Sequence, residues 1–186
     1  MRSYSCSLYL LLTASLLTLA LSAQDPRYVN RLAPYVASPD RVVDTMLSLA
    51  NIQPGELLYD LGSGDGRILI AAAQRYNARA VGIEITPRLV ESATREIERA
   101  GVEDRVKVIE GDILNTDFSQ ADVVTLYLEK ELNAKLRPQL ERYLKPGARV
   151  VSHQYEIPGW HPTSVEKVPG ASDHVVYLYR IPEAER

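Results

Sequence analysis

The 186-residue chain holds a single cysteine, Cys6, inside an apolar stretch near the amino terminus. A disulfide within the chain and a cysteine-based metal site are therefore excluded. Histidine is nearly as scarce. His153, His161 and His174 lack ligand spacing and no His-Glu-x-x-His occurs, so no metal site is expected. The Gly-x-Ser-x-Gly elbow is also missing, which leaves a Ser-His-Asp hydrolase without support. Positive charge is not in excess: 21 Lys and Arg stand against 24 Asp and Glu, for a net charge of −3, with no basic stripe. Nucleic acid is thus not expected as a partner. Internal repeats and low-complexity segments are absent as well. Apolar content of 46% and charged content of 24% fit one globular domain rather than a disordered or multi-span chain.

Between Arg2 and Asp25 no charge occurs, and the run from Leu8 to Leu21 is apolar before Ser22-Ala23-Gln24. Residues 1–23 read as a signal peptide or an N-terminal anchor, and 24–186 as the domain proper. Cleavage would make the protein exported or periplasmic; an uncleaved anchor would hold it at the membrane, the only membrane contact expected.

From Gln24 to Val36 the chain is polar and proline-interrupted, an arm on the domain. Ser38-Pro39-Asp40 predicts a helix start with Ser38 as N-cap, and Val42, Val43, Met46, Leu47 and Ala50 fall on one helical face. Short apolar strands over 57–60, 78–85, 106–112, 122–128 and 148–153 then alternate with helices, the last of which, from Glu131 to Leu144, is interrupted or kinked at Pro138. After them, 164–168 and 174–179 flank Pro169-Gly170 and read as a strand pair. The expected fold class is α/β: a Rossmann-like, mostly parallel sheet with an antiparallel C-terminal edge hairpin and helices on both faces.

The first strand ends in Asp60-Leu61-Gly62-Ser63-Gly64-Asp65-Gly66-Arg67. A dinucleotide fingerprint would place its third glycine at Arg67; the pattern here is Asp-x-Gly-x-Gly-x-Gly instead. That form suits S-adenosyl-L-methionine (SAM), a phosphate-free ligand whose cationic groups an acid just before the turn can meet. Asp60, Glu84 and Asp112 end three successive strands, where α/β sheets bind ligands. Asp60 is placed near the methionine ammonium, Glu84 on the ribose hydroxyls and Asp112 on the adenine amino group. Gly62, Ser63, Gly64 and Ile113 join them as candidate cofactor residues, with Tyr35 and Ser38 closing over the cofactor.

The chain resembles class I SAM-dependent methyltransferases, and within them the archaeal protein-lysine methyltransferases and the mitochondrial enzymes that methylate the ATP synthase c-subunit. Pro34-Tyr35-Val36, the glycine turn, Val81-Gly82-Ile83-Glu84, Tyr127-Leu128, Val150-Val151-Ser152-His153, Trp160 and Pro162 carry the resemblance. The family usually has Pro-Thr-Pro where this chain has Ala37-Ser38-Pro39, and Phe at Tyr155. The resemblance implies a seven-stranded sheet, a protein substrate with an accessible lysine, and an acceptor pocket at Tyr127. Tyr127 and His153 are the candidate catalytic residues, with Tyr155 on the same rim and Trp160, Glu129 and Glu131 nearby. Each has a plainer alternative: Tyr127 as a half-buried strand residue, His153 as a hydrogen-bonded structural histidine, Trp160 as a packing anchor, the glutamates as partners of a helix dipole. Two other functions remain open, a non-catalytic SAM-binding domain and an NAD-dependent oxidoreductase.

Overall fold

A computed structural model describes residues 35–170 and 172–182. The leader at 1–23, with Cys6, and the arm up to Pro34 lie outside the described residues. Helix α1 (Asp40–Leu49) precedes β1 (Leu57–Leu61), α2 (Arg67–Tyr76), β2 (Arg79–Glu84), α3 (Pro87–Ala100), β3 (Val106–Glu110), β4 (Val123–Leu126), α4 (Lys130–Tyr143), β5 (Arg149–His153), β6 (Ser164–Val168) and β7 (His174–Arg180). The seven strands form one sheet in the order β3-β2-β1-β4-β5-β7-β6. β1 to β5 pair in parallel, and β7 runs antiparallel to both β5 and β6. The seven-stranded, mostly parallel sheet with an antiparallel edge pair is the architecture the sequence implies.

The inner strands β1, β2, β4 and β5 are mostly apolar on both sides because both are covered. Leu58, Ala80, Val123, Val151 and Val176 point to one face, where they pack with Val43, Leu47, Leu69, Ala72 and Ile97 of α1, α2 and α3. Val81, Val124 and Val150 point to the other, against Leu132, Leu136 and Leu140 of α4. Full burial of one such leucine stabilises by about 1.5–3 kcal/mol. α4 continues through Pro138 without a break, which corrects the expected interruption. Leu136 and Leu140, both fully buried, clamp the turns on either side of the proline, so the one backbone hydrogen bond it forfeits does not end the helix.

The start of α1 also differs from expectation. Pro39 occupies the N-cap position and no side chain caps the helix. Ser38 lies one residue before that cap, and its hydroxyl is bonded instead to His153 Nδ1, 2.9 Å away.

At the amino ends of the parallel strands, Arg149 opens β5 as a largely buried cation. Its Nη1 donates to Glu56 Oε1 at 2.9 Å and its Nη2 to Oε2 at 2.5 Å, while Nε donates to the Ala50 carbonyl at 3.0 Å. One guanidinium thus ties the end of α1, the approach to β1 and β5 together. Arg149→Met leaves Glu56 with only the Gln53 amide as donor and takes the side-chain donor from the Ala50 carbonyl, and the expected loss of about 2 kcal/mol lowers the urea midpoint without changing the m-value.

Candidate active site

The turn after β1 adopts a backbone that only glycine enters at little cost. Gly62, Gly64 and Gly66 have φ of 84°, 53° and 79°. Gly62 and Ser63 amides donate to the Ile83 carbonyl at 2.8 and 3.1 Å, and the Gly64 amide donates to Glu84 Oε2 at 3.0 Å. A Cβ on Gly64 would overlap the Tyr35 ring, so Tyr35 lies directly over this glycine. Beneath the turn, a Cβ on Gly82 would sit 2.5 Å from Ser63 Oγ. That hydroxyl is buried and has no hydrogen-bond partner among the described residues.

Three acids line the carboxyl ends of the adjacent strands β1, β2 and β3. Asp60 is 3% exposed, and its one hydrogen bond among the described residues comes from Thr125 Oγ1, 2.7 Å away on the paired position of β4. Burial, with the Glu84 and Asp65 carboxylates nearby, pushes its pKa up to about 7 despite the Thr125 hydroxyl. Glu84 is also buried, with Oε1 accepting from the Thr86 amide at 2.8 Å and Oε2 from Gly64. Each oxygen keeps a further lone pair. Asp112 follows β3 and caps a short 3-10 turn, Ile113–Asn115, through its bond from the Leu114 amide at 2.9 Å; Ile113 is packed into the core on the α4 side.

A second group gathers where β4 and β5 end. Tyr127 directly follows β4, and its ring centroid is 3.9 Å from that of His153 and 6.4 Å from that of Tyr155, onto which it stacks. His153 is fully buried. Both its nitrogens are engaged, Nδ1 with Ser38 and Nε2 with His174 Nδ1 at 3.0 Å, and desolvation with the neighbouring His174 holds its pKa down at about 4. Such a neutral, tethered ring suits orienting its neighbours more than taking up a proton. Tyr155 is placed by an unusual turn: Gln154 has φ of 68°, fixed by its amide donating to the Val175 carbonyl at 2.7 Å. The carbonyl of Tyr155 then accepts from Ser152 Oγ at 2.5 Å and from buried Asn133 Nδ2 at 3.3 Å.

Ser38 bridges the two groups through its hydroxyl on His153 and its carbonyl. Arg67 Nη1 donates to the Ser38 carbonyl at 3.0 Å, while its Nε and Nη2 hold Asp65 in the turn. Trp160 lies elsewhere, donating to Glu141 Oε1 at 2.9 Å and packing on Tyr179, so it is an anchor and not a cover. The sequence alone assigns no role in the site to Thr125, Gly82, Asn133 or His174. The signal for Thr125 was one hydroxyl in the run Val123-Val124-Thr125-Leu126, and for Gly82 a glycine inside a strand.

The sequence profile of the ANTKMT methyltransferase domain matches residues 60–164, from the acid of β1 to the start of β6. A protein-lysine N-methyltransferase of Saccharolobus islandicus (strain REY15A) is 47% identical over 152 residues, 81% of this chain and 94% of that protein. The chain belongs to this methyltransferase family. The adenine nucleotide translocase lysine N-methyltransferase of Mus musculus is 37% identical over 132 residues, covering 71% of this chain and 57% of that protein. An RNA methyltransferase from Salinibacter ruber, solved with S-adenosyl-L-homocysteine, superimposes with a TM-score of 0.75 at 48% identity, over 81% of this chain and 97% of that one. The cofactor is SAM, and neither the NAD-dependent nor the non-catalytic reading is favoured. The methyltransferase has residues that fit it: a buried acid with no cation beside it, a second acid with spare lone pairs, an unpartnered buried hydroxyl and a turn of bare backbone.

Two outcomes follow from this geometry. Because Asp60 in the free protein titrates at about 7, a bound cation lowers that value, and binding below pH 7 must release a proton. Calorimetric SAM affinity therefore rises with pH from about 5 to 7, by at most tenfold per unit, then levels off, and Asp60→Asn removes the slope. Gly82→Ala forces the turn away from β2 through Ser63, which weakens SAM binding about tenfold or more and costs about 1–3 kcal/mol of stability.

Proposed function

We propose that this methyltransferase modifies lysine side chains of a protein partner. The observation that carries the reading is the aromatic mouth of Tyr127 and Tyr155, set at the carboxyl ends of β4 and β5 beside the row of acids. Support also comes from the relatives in Saccharolobus islandicus and Mus musculus, both described as lysine N-methyltransferases.

SAM supplies an electrophilic methyl group when bound. Asp60 would receive its ammonium, Glu84 would accept from the ribose hydroxyls and Asp112 from the adenine amino group, and Ser63, with Ile113 at the edge, would complete the contact. Gly62 and Gly64 let the backbone approach, and Tyr35 covers the turn. A lysine amine in water has a pKa of about 10.4 and is almost wholly protonated at neutral pH. Tyr127 and Tyr155 strip water from the entering amine and so lower that value, which favours the neutral nucleophile. Exposed Glu129, Glu131 and Glu156 follow β4 and β5 and attract the cationic side chain before it enters.

A second reading, RNA methylation, draws on the description of the Salinibacter ruber protein. The net charge of −3 and the glutamates following both strands oppose a polyanion. Incubation with methyl-labelled SAM and separate protein and RNA fractions distinguishes the two. Label is expected in methyl-lysine after protein hydrolysis; label confined to RNA overturns the proposal. Tyr127→Ala lowers the methylation rate about tenfold or more while SAM affinity changes little.

A further inference from the structure

The joint between the two halves of the site is one side chain. Ser38 is 4% exposed; its carbonyl accepts from Arg67, which also grips Asp65 of the glycine turn, and its hydroxyl meets His153 Nδ1 at 2.9 Å. His153 cannot drift from that contact, because His174 Nδ1 holds its other nitrogen at 3.0 Å and Ser172 Oγ in turn meets His174 Nε2 at 3.1 Å. A neutral imidazole has one donor and one acceptor nitrogen, and a hydroxyl can answer either. Ser38 therefore satisfies the ring whichever tautomer His174 selects. With both nitrogens tied, the plane of the ring is fixed, and Tyr127 lies 3.9 Å from it, tilted by 37°. The ring of Tyr127 thus has its floor set by a residue that belongs to the segment before α1.

We propose that Ser38 is a positioning residue for the methyl acceptor: acting through His153, it fixes the Tyr127 ring at the acceptor mouth, while its carbonyl ties that mouth to the cofactor turn. The identity of the acceptor rests on the lysine reading above; the positioning does not. A residue that only closed over SAM would act on cofactor affinity. A residue that sets Tyr127 acts on the acceptor.

Ser38→Ala and Ser38→Thr separate these roles, since threonine keeps the hydroxyl. For Ser38→Ala the acceptor kcat/KM is expected to fall about fivefold, as for loss of one buried hydrogen bond, with SAM Kd changed less than about twofold. Ser38→Thr should return kcat/KM to within about twofold of the parent. The imidazole nitrogen resonances of His153 and the ring resonances of Tyr127 should both shift in Ser38→Ala and recover in Ser38→Thr, a readout that needs no acceptor. A rise in SAM Kd with acceptor kinetics unchanged overturns the proposal, as do unshifted His153 and Tyr127 resonances. If the parent protein forms no methyl-lysine, the lysine reading fails by itself, and the resonance shifts still decide the positioning role.

Discussion

The bond between the Gly64 amide and the Glu84 carboxylate is the constraint on which the site is built. It joins the turn after β1 to the last residue of β2, and both partners are buried. A carboxylate is stable there only because two backbone amides, from Gly64 and Thr86, solvate it in place of water. Once Glu84 is fixed, the turn cannot carry a Cβ at Gly64, β2 cannot carry one at Gly82, and the opening over the turn is left to Tyr35. Burial raises the pKa of Asp60, and the Glu84 carboxylate that the same closure brings near adds to the rise. The structure therefore keeps two acids in a dry place before any ligand arrives, an unfavourable arrangement that a cationic ligand relieves.

The sheet was legible because its signals are local. Each parallel strand is a short, mainly apolar run closed by an acid or a turn, and Gly62, Gly64 and Gly66 stand at the left-handed positions of the turn after β1. What was not legible depends on pairing across distance. Ser38 has the sequence of a helix cap, yet its hydroxyl is taken by a histidine 115 residues on. Thr125 matters because β4 pairs in register with β1, which puts its hydroxyl opposite Asp60. Asn133 is a polar residue on a core face of α4, and only the fold reveals that it holds the backbone of Tyr155 and Glu156. Pro138 carries the local signal of a break, yet the burial of Leu136 and Leu140 on either side of it offsets the lost bond and the helix runs on.

The acid row and the aromatic group divide the site into two halves, the second of which the proposal assigns to the acceptor. Asp60 and Glu84 end β1 and β2 and Asp112 follows β3, at the carboxyl ends where open α/β sheets gather ligands. Tyr127, Tyr155 and their supports come from the strands next to the antiparallel pair. Between β5 and β6 the chain runs from 154 to 163 with no helix, so the segment carrying Tyr155 is held by a few separate bonds: the Gln154 amide on the Val175 carbonyl, and Ser152 and Asn133 on the Tyr155 carbonyl.

The bond between Ser38 and His153 also constrains the order in which the molecule is made. α1 emerges before the strands of the sheet, yet besides α2 it packs on β5, β6 and β7, the last strands to appear. That part of its partner surface does not exist while the first two-thirds of the chain is being translated. Contacts of such long sequence separation close late and slowly, after the cost in loop entropy has been met. Much of the apolar face of α1 therefore waits uncovered during synthesis. A truncated product can form the glycine turn and still leave the acceptor half of the site unassembled.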